Sequence, residues 1–287
     1  PIEIKPLYFS LMVHGTHVAG IIAGNGYSSR GKYSGIAPES NILGIKALDS
    51  EGSGNTSNII AAISYAIETK DQYNTKVINL SIGSPANNNC SKDPLCKAVD
   101  EAIKAGIVVV AAAGNSGPNE KTILSPGIHP NVITVGASDD KRTIDTRDDI
   151  IASFSSRGPT NDGIKKPDLV APGVNISSLS NSKLDGYKPL SGTSMATPFV
   201  SGTVALMLNM DGTLSSKDIK KKLINSCIDL KDSIDNQGAG LVNLQKLFYD
   251  GKDASSNSPL KPFAVRGELF ENLIVILIVM FLLDSKI

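Results

Sequence analysis

Apolar and polar positions along the chain follow two alternating periods from about residue 40 to residue 210. Apolar runs typical of buried strands recur at three places, 41–47, 77–82 and 107–113. The last run is unbroken, as in a strand that helices cover on both faces. Between these runs, apolar residues three or four positions apart predict helices over 57–70 and 94–105. Repeated strand–helix–strand units favour an α/β fold of three αβα layers around a mainly parallel sheet.

The second half of the chain predicts shorter strands and further helices. The predicted short strands are 131–137, 152–155 and 175–179. A helix is predicted to begin at Ser194. Ser215 and Asp218 have the spacing of a capping box, which predicts another helix that ends near Ser226. Together these elements predict one domain over residues 11–250.

The last part of the chain is predicted to leave this domain. Residues 251–268 begin with a polar stretch rich in serine and proline, which is typical of a linker. Residues 269–283 form a hydrophobic tail with an unbroken apolar run from 273 to 283. A helix over that run would be only ~16 Å long, against ~30 Å for a bilayer core. Two interpretations stay open, a terminal helix docked on the protein and a short membrane anchor.

Composition places the chain among ordinary globular proteins and argues against nucleic-acid binding. Its 28 basic and 28 acidic residues balance, and it has no tryptophan on which bases would stack. Cys90 and Cys96 flank a short loop and could bridge, but three cysteines in 287 residues favour reduced thiols and a cytoplasmic location. The first residues lack the basic and apolar regions of a signal peptide.

Three short motifs carry candidate chemistry. His14 opens the run His-Gly-Thr-His-Val-Ala-Gly, Asn115 follows Ala-Ala-Ala-Gly, and Ser194 lies within Gly-Thr-Ser-Met-Ala-Thr-Pro. A serine hydroxyl becomes a nucleophile when a neighbouring base removes its proton, which is a role for His14. The side-chain NH₂ of Asn115 and the backbone N–H of Ser194 could bind an oxyanion. Singly, Ser194 is a helix cap and Asn115 a turn residue, but together they favour nucleophilic catalysis.

A metal site is the main alternative for the histidines. His14 and His17 lie three positions apart, as metal ligands on a helix sometimes do. A zinc site needs a third ligand, and the only other histidine is His129, which lies next to a proline. The sequence therefore disfavours a metal and predicts that His17 is turned inward in a structural role.

With these motifs, the chain resembles the subtilase family of serine proteases over about residues 11–250. The segments 152–159, 166–173 and 238–243 resemble the family as well. The resemblance implies a subtilisin-like fold and an endopeptidase in which His14 is the general base, Ser194 the nucleophile and Asn115 the oxyanion donor. It implies peptide or protein substrates and no cofactor for the chemistry. Family members often bind calcium, but no ligand loop for it is clear here.

The resemblance also implies where a substrate binds. One side of an extended peptide would pair with Gly52, Ser53 and Gly54, and the other side with Ser81, Ile82 and Gly83. Both segments would bind the peptide as an added β-strand, which suits broad specificity. Residues 111–113 together with Gly83 are expected to leave a roomy apolar pocket for a large uncharged side chain.

One family feature is missing ahead of His14. The family's orienting aspartate ends an early strand, whereas Glu3 is the only acidic residue before His14. In the family that strand lies between the equivalents of 41–47 and 77–82, so the sheet is expected to lack an inner strand. The gap would be roughly 9–10 Å wide, and residues 2–10, closure of the sheet or a separate chain could fill it.

Two functions therefore stay open. The first is an active serine endopeptidase, and the second is an impaired relative that binds peptides without efficient cleavage. The simplest hypothesis is an N-terminally incomplete subtilase.

Overall fold

The computed structural model describes residues 13–47, 54–87, 89–181, 186–249 and 274–279, the last of these by its backbone alone. Helices cover both faces of a mainly parallel sheet, so the predicted three-layer α/β architecture is confirmed. The strands in chain order are β1 (Asn41–Lys46), β2 (Thr75–Leu80), β3 (Val108–Ala112), β4 (Ile133–Asp139), β5 (Ile150–Ile151), β6 (Leu169–Pro172), β7 (Ile176–Ser180), β8 (Gly186–Leu190) and β9 (Ile274–Val279). The helices are α1 (Val13–Ala23), α2 (Thr56–Glu68), α3 (Lys70–Tyr73), α4 (Pro94–Lys104), α5 (Thr193–Met210), α6 (Ser216–Ser226), α7 (Ile234–Gln237) and α8 (Leu244–Phe248).

The main sheet has seven strands in the order β1-β9-β2-β3-β4-β5, with β6 also paired to β4. Every pairing is parallel except that of β4 with β5. A separate antiparallel hairpin consists of β7 and β8. The carboxyl ends of the parallel strands therefore meet at one edge of the sheet, where ligands of open α/β sheets usually bind.

Alternate residues of the central strands face the two helical layers. In β3, Val108 and Val110 join the core beneath α1 and α5. Val109 and Ala111 of the same strand join the core beneath α2 and α4. Because both faces of β3 are buried, the strand is apolar throughout, which explains its unbroken run in the sequence.

The place between β1 and β2 is occupied by a strand from the far end of the chain. β9 pairs in parallel with β1 from Asn41↔Ile274 to Lys46↔Val279, and on its other side it pairs with β2 as far as Asn79↔Leu277. The helical prediction for the tail is therefore wrong for Ile274–Val279. An unbroken run of isoleucine, valine and leucine suits an inner strand, in which neighbours on both sides satisfy the backbone.

This pairing also corrects the expected gap in the sheet. The sheet is not open between β1 and β2, and it has not closed up there either. Residues 2–10, which were one candidate for that place, lie outside the described residues, as does the predicted linker 251–268. No helix in the described part of the chain is long and apolar enough to span a membrane.

A local sequence signal sets the start of α6. Ser215 accepts a hydrogen bond from the backbone of Asp218, and the Asp218 carboxylate accepts one in return, so the predicted capping box is confirmed.

The strand predicted over 152–155 is wrong. The backbone turns there, with a hydrogen bond from Ser155 N to Ala152 O, and the Ser155 hydroxyl accepts a bond from Ala137 N. A side chain thus provides the acceptor that a neighbouring strand would have provided.

The cysteines also differ from the expectation. Cys90 and Cys96 form a disulfide with a Cα–Cα distance of 5.5 Å at the start of α4, so the prediction of reduced thiols is wrong for this pair. Cys227 is free, and burial raises the pKa of its thiol to about 12. At neutral pH Cys227 is therefore protonated and unreactive.

Candidate active site

Ser194 is the second residue of α5 and lies at a sharp entry into that helix. Gly192, two residues before Ser194, caps the helix with φ 155° and ψ 159°, a backbone conformation that is essentially restricted to glycine. Ser194 is only 6% exposed, and its Oγ donates a hydrogen bond to the carbonyl of Ser81 at 3.2 Å. Since the first N–H groups of a helix lack partners within it, the start of α5 offers donors to a developing negative charge.

A buried polar network joins this helix to the end of β2. The Ser81 hydroxyl donates to the carbonyl of Ser194 at 3.0 Å and accepts from Nδ2 of Asn79 at 2.9 Å. Oδ1 of Asn79 accepts in turn from the hydroxyl of Ser201, about two turns after Ser194 in α5, at 2.8 Å. Because Asn79, Ser81 and Ser201 are almost fully buried, the network fixes the position of Ser194 relative to the sheet.

Asn115 follows β3 and is held in one orientation by Thr193. Its Oδ1 accepts from the Thr193 backbone N–H at 2.9 Å and from the Thr193 hydroxyl at 3.0 Å. Since a backbone N–H can only donate, the atom facing it must be the amide oxygen, and Nδ2 must point the other way.

Two donors meet beside Gly192. A Cβ atom placed on Gly192 would lie 3.4 Å from Nδ2 of Asn115 and 3.7 Å from the backbone N of Ser194. Glycine leaves that position open, so an oxygen atom entering there would meet one side-chain N–H and one backbone N–H. This is the donor pair that the sequence predicted for an oxyanion, and the structure brings both members together.

His14 is the second residue of α1, and α1 starts at the same end of the helical layer as α5. His17, one turn after His14, contacts the carbonyl of Lys188 in β8, and β8 ends just before Gly192. Further along, a Cβ on Gly202 of α5 would lie 3.4 Å from the carbonyl oxygen of Ile22 in α1. Ile22 lies about two turns after His14, and Gly202 lies about two turns after Ser194. The helices α1 and α5 therefore lie side by side and point in the same direction.

The environment of His14 keeps its imidazole neutral. The residue is half-buried, but its Nδ1 is enclosed. Burial, with a smaller contribution from the nearby His17, lowers the pKa of His14 to about 4. A neutral imidazole is the form that can accept a proton from a serine.

His17 has the structural role that the sequence predicted. It is fully buried, and its Nε2 lies 2.9 Å from the carbonyl oxygens of both Ile176 and Lys188. Because both partners are acceptors, Nε2 carries the proton. The Ser178 hydroxyl donates to the carbonyl of His17 at 2.8 Å, so the β7–β8 hairpin is fastened to α1. Among the described residues, no group of histidines, cysteines and acids is arranged to hold a metal ion.

The structure describes only one of the two predicted substrate-binding segments in full. Gly52 and Ser53 lie outside the described residues, and Gly54 is exposed just before α2. Ser81 and Ile82 are buried at the end of β2, and Gly83 is half-buried. Their roles in binding a peptide remain predictions.

The expectation of a roomy pocket beside Gly83 is wrong, because Leu124 fills that space. A Cβ on Gly83 would lie 2.6 Å from Cβ of Leu124. A Cβ on Gly114, the residue before Asn115, would lie 2.6 Å from Cγ of Leu124. Both distances are far below van der Waals contact, so the Leu124 side chain packs directly on the two glycines.

Comparison with known proteins decides the family. A sequence profile described as the subtilase family matches residues 7–245. The chain belongs to the subtilase family. This family consists of serine endopeptidases. The matched range of the subtilase domain ends before β9, so the strand that pairs between β1 and β2 comes from outside that range.

Individual relatives agree with this assignment. The chain is 45% identical over 250 residues to serine protease AprX of Bacillus subtilis (strain 168), with 81% of this chain and 57% of AprX covered. It is 39% identical over 234 residues to subtilisin DY of Bacillus licheniformis, with 81% of this chain and 76% of the relative covered. The chain thus spans little more than half the length of AprX. Among solved structures, sphericase superposes with a TM-score of 0.70 at 34% identity, and 81% of this chain and 78% of sphericase are covered.

Several residues at the site escaped the sequence argument. Thr193 lies inside a motif that drew attention only to Ser194, although Thr193 orients Asn115. Asn79 lies in the apolar pattern of β2, where a buried amide is a signal in itself because it must find partners. Leu124 lies in a loop with no periodic pattern, so nothing in the sequence indicated its position.

Proposed function

We propose that this subtilase is a serine endopeptidase that cleaves peptide bonds through an acyl-enzyme on Ser194. The pair of donors beside Gly192, Nδ2 of Asn115 and the backbone N of Ser194, carries the proposal. Ser194 is not the cap of α5, which is Gly192, and a merely structural role for Ser194 would not require an asparagine amide held with its NH₂ toward the same point.

The groups support a sequence of steps common to serine hydrolases. The Ser194 hydroxyl, which now donates to the carbonyl of Ser81, turns toward His14 and gives up its proton to the imidazole. Oγ attacks the peptide carbonyl, whose oxygen moves to the two donors. His14 then delivers the proton to the leaving amine, and a water molecule hydrolyses the acyl-enzyme with His14 again as base.

The peptide is proposed to bind in an extended form beside the ends of the sheet. Main-chain pairing with residues 52–54 and with 81–83 would hold it on two sides, independently of most of its side chains. The chain would then cleave many peptides and rely on the residue before the cleaved bond for selectivity.

A peptide-hydrolysis assay tests this proposal. The full chain should cleave unstructured peptides, and Ser194→Ala and His14→Ala should each reduce kcat by on the order of 10²-fold, the part of the triad's effect that is left without its aspartate. A folded chain that binds peptides but shows the same negligible rate as Ser194→Ala would contradict the proposal. That result would favour the impaired, peptide-binding relative.

A further inference from the structure

The Cys90–Cys96 disulfide lies in the connection from β2 to α4. The second part of this connection, residues 84–93, is called the β2–α4 loop, and it follows directly on the proposed peptide-binding segment 81–83. Cys90 begins a single turn of 3₁₀ helix in the loop, and Cys96 lies in the first turn of α4. The disulfide therefore joins the middle of the loop to the helix that follows it.

Few other bonds hold the middle of the β2–α4 loop. At its start, Ser84 exchanges two backbone hydrogen bonds with Ser125, at 2.9 and 3.0 Å. After Ser84, the described residues of the loop make only one hydrogen bond beyond the loop and α4, in which Nδ2 of the exposed Asn161 donates to the carbonyl of Ala86 at 2.9 Å. The disulfide is therefore the strongest attachment of the middle of the loop to the rest of the protein.

The disulfide also covers a small buried cluster at the end of β3. The cluster consists of Cys96, Ala113, Ile123 and Ile128, and the half-buried Ala86 and Cys90 pack on it. Ala113 lies two residues before Asn115, the proposed oxyanion donor. Opening the disulfide would let Cys90 move away from the cluster, while Cys96, which is 1% exposed, stays in it.

We propose that the Cys90–Cys96 disulfide is a redox modification site, at which a dithiol reductant opens the link and thereby weakens peptide binding to segment 81–83. The inference rests on the proposed function, because it assumes that a peptide pairs with this segment. When the link is open, the β2–α4 loop has more conformations, and a peptide bound beside it must order the loop again. Reduction therefore lowers the affinity for the peptide.

The two sulfur atoms differ in access. Cys90 is half-buried between two exposed neighbours, whereas Cys96 is 1% exposed. A thiolate of the reductant therefore attacks the sulfur of Cys90, the S–S bond breaks, and its electron pair leaves on Cys96, which takes up a proton. The second thiol of the reductant then displaces Cys90 as a thiol. Two electrons and two protons have moved to the protein, and the reductant has become a cyclic disulfide.

The catalytic groups should keep their positions in the reduced state. The bonds that hold Ser194 and Asn115 come from Ser81 and Thr193, neither of which belongs to the β2–α4 loop. We therefore expect reduction to change KM far more than kcat. Partial unfolding of the domain would instead lower kcat.

Kinetics of the full chain in oxidised and in reduced dithiothreitol tests the inference, with alkylation and mass spectrometry to count the free thiols. Reduction of the disulfide should raise KM by on the order of 10-fold and leave kcat nearly unchanged. Cys90→Ser should have the high KM in both conditions. Cys227→Ser is the matched control, because it removes the free cysteine and should keep the full response. Equal KM values in the two states, or a disulfide that excess reductant cannot open in the folded chain, would overturn the inference.

A binding measurement separates this inference from the proposed function. In the Ser194→Ala background, the Kd of an unstructured peptide is compared under the same two conditions, with no need for turnover. Weaker binding after reduction, together with faster hydrogen exchange confined to residues 84–93, supports the inference even if the wild type cleaves nothing. Equal Kd values, or no binding in either condition, overturn it. Faster exchange throughout β2 and β3 also contradicts it, because the effect would then come from unfolding.

Discussion

At the scale of single residues, the proposed oxyanion site depends on an amide that the Thr193 backbone N–H and hydroxyl orient. Asn115 gives its oxygen to two donors of Thr193 and turns its NH₂ toward Gly192. The catalytic value of Asn115 therefore depends partly on a residue that makes no bond to a substrate.

Asn115→Ala should lower kcat by roughly 10²–10³-fold, since it removes one of two oxyanion donors. Thr193→Val should have a smaller effect, because it removes the hydroxyl bond to Oδ1 but keeps the backbone bond. Steady-state kinetics on a short chromogenic peptide measures both. No loss of kcat in Asn115→Ala would show that Asn115 does not bind the oxyanion.

The pH dependence follows from the environment of His14. Burial lowers its pKa to about 4 from an ordinary value of 6.5, so the imidazole stays neutral, the form that can accept a proton, through the mildly acidic range. We expect the acid limb of kcat/KM to have its midpoint well below 6.5. A midpoint at or above 6.5 would mean that a nearby negative charge stabilises the imidazolium in the working enzyme.

The same pKa shift affects stability, with a defined sign. Between pH 6.5 and about 4 the unfolded chain binds a proton at residue 14 that the folded chain does not, so this residue lowers stability as the pH falls. His14→Gln should remove that contribution and flatten the loss of stability over this interval. Thermal unfolding of both proteins across the interval measures the difference.

At the scale of secondary-structure elements, β9 is the feature that the sequence pattern did not predict. An unbroken apolar run does not by itself distinguish a helix from a buried strand. The run forms a strand because it pairs with β1 and β2, which lie some two hundred residues earlier in the chain. By contrast, β3 was predictable because the helix predicted over 94–105 ends just before its apolar run and a turn rich in glycine and proline follows it.

Ile276→Pro tests the place of β9 in the sheet. Proline removes a backbone N–H, and Ile276 is paired with Leu43 of β1 on one side and Ile78 of β2 on the other. The variant should unfold at a markedly lower temperature, whereas Ser256→Pro in the predicted linker should not. In the wild type, hydrogen exchange of residues 274–279 should be as slow as that of β2. Rapid exchange there would contradict the pairing.

A second link between elements is a buried ion pair. Lys166 is 1% exposed and donates to Asp168 at 2.7 Å, and Lys220 of α6 binds the other carboxylate oxygen at 2.7 Å. Burial lowers the pKa of Lys166 to about 7, even though Asp168 acts to raise it. The carboxylate thus compensates a buried cation and ties α6 to the sheet.

Asp168→Asn should reduce the free energy of unfolding by about 3–5 kcal/mol at pH 6, because it leaves the buried Lys166 without a counter-charge. At pH 9 the loss should be smaller, since Lys166 is then mostly neutral. Asp145→Asn is the control, because its pair with Arg147 is fully exposed and should contribute little to stability. Denaturant unfolding at both pH values gives the comparison, and a loss independent of pH would contradict this account of Lys166.

At the scale of the whole molecule, local signals were sufficient to predict the layers and the family, but not the strand between β1 and β2 or the position of Leu124. The period of apolar residues predicted αβα layers, and the motifs around His14, Asn115 and Ser194 indicated the family. Leu124 and Cys90–Cys96 depended on loops, whose course is determined by contacts with distant strands rather than by any repeating pattern.

Reaction of the full chain with a fluorophosphonate probe tests the central claim most directly, because the probe modifies only a serine that a base activates within an oxyanion site. We predict rapid modification of one residue, located at Ser194 by mass spectrometry of the digested protein. The modification should be abolished in Ser194→Ala and much slower in His14→Ala. No modification of Ser194 in a chain that unfolds cooperatively would contradict the account.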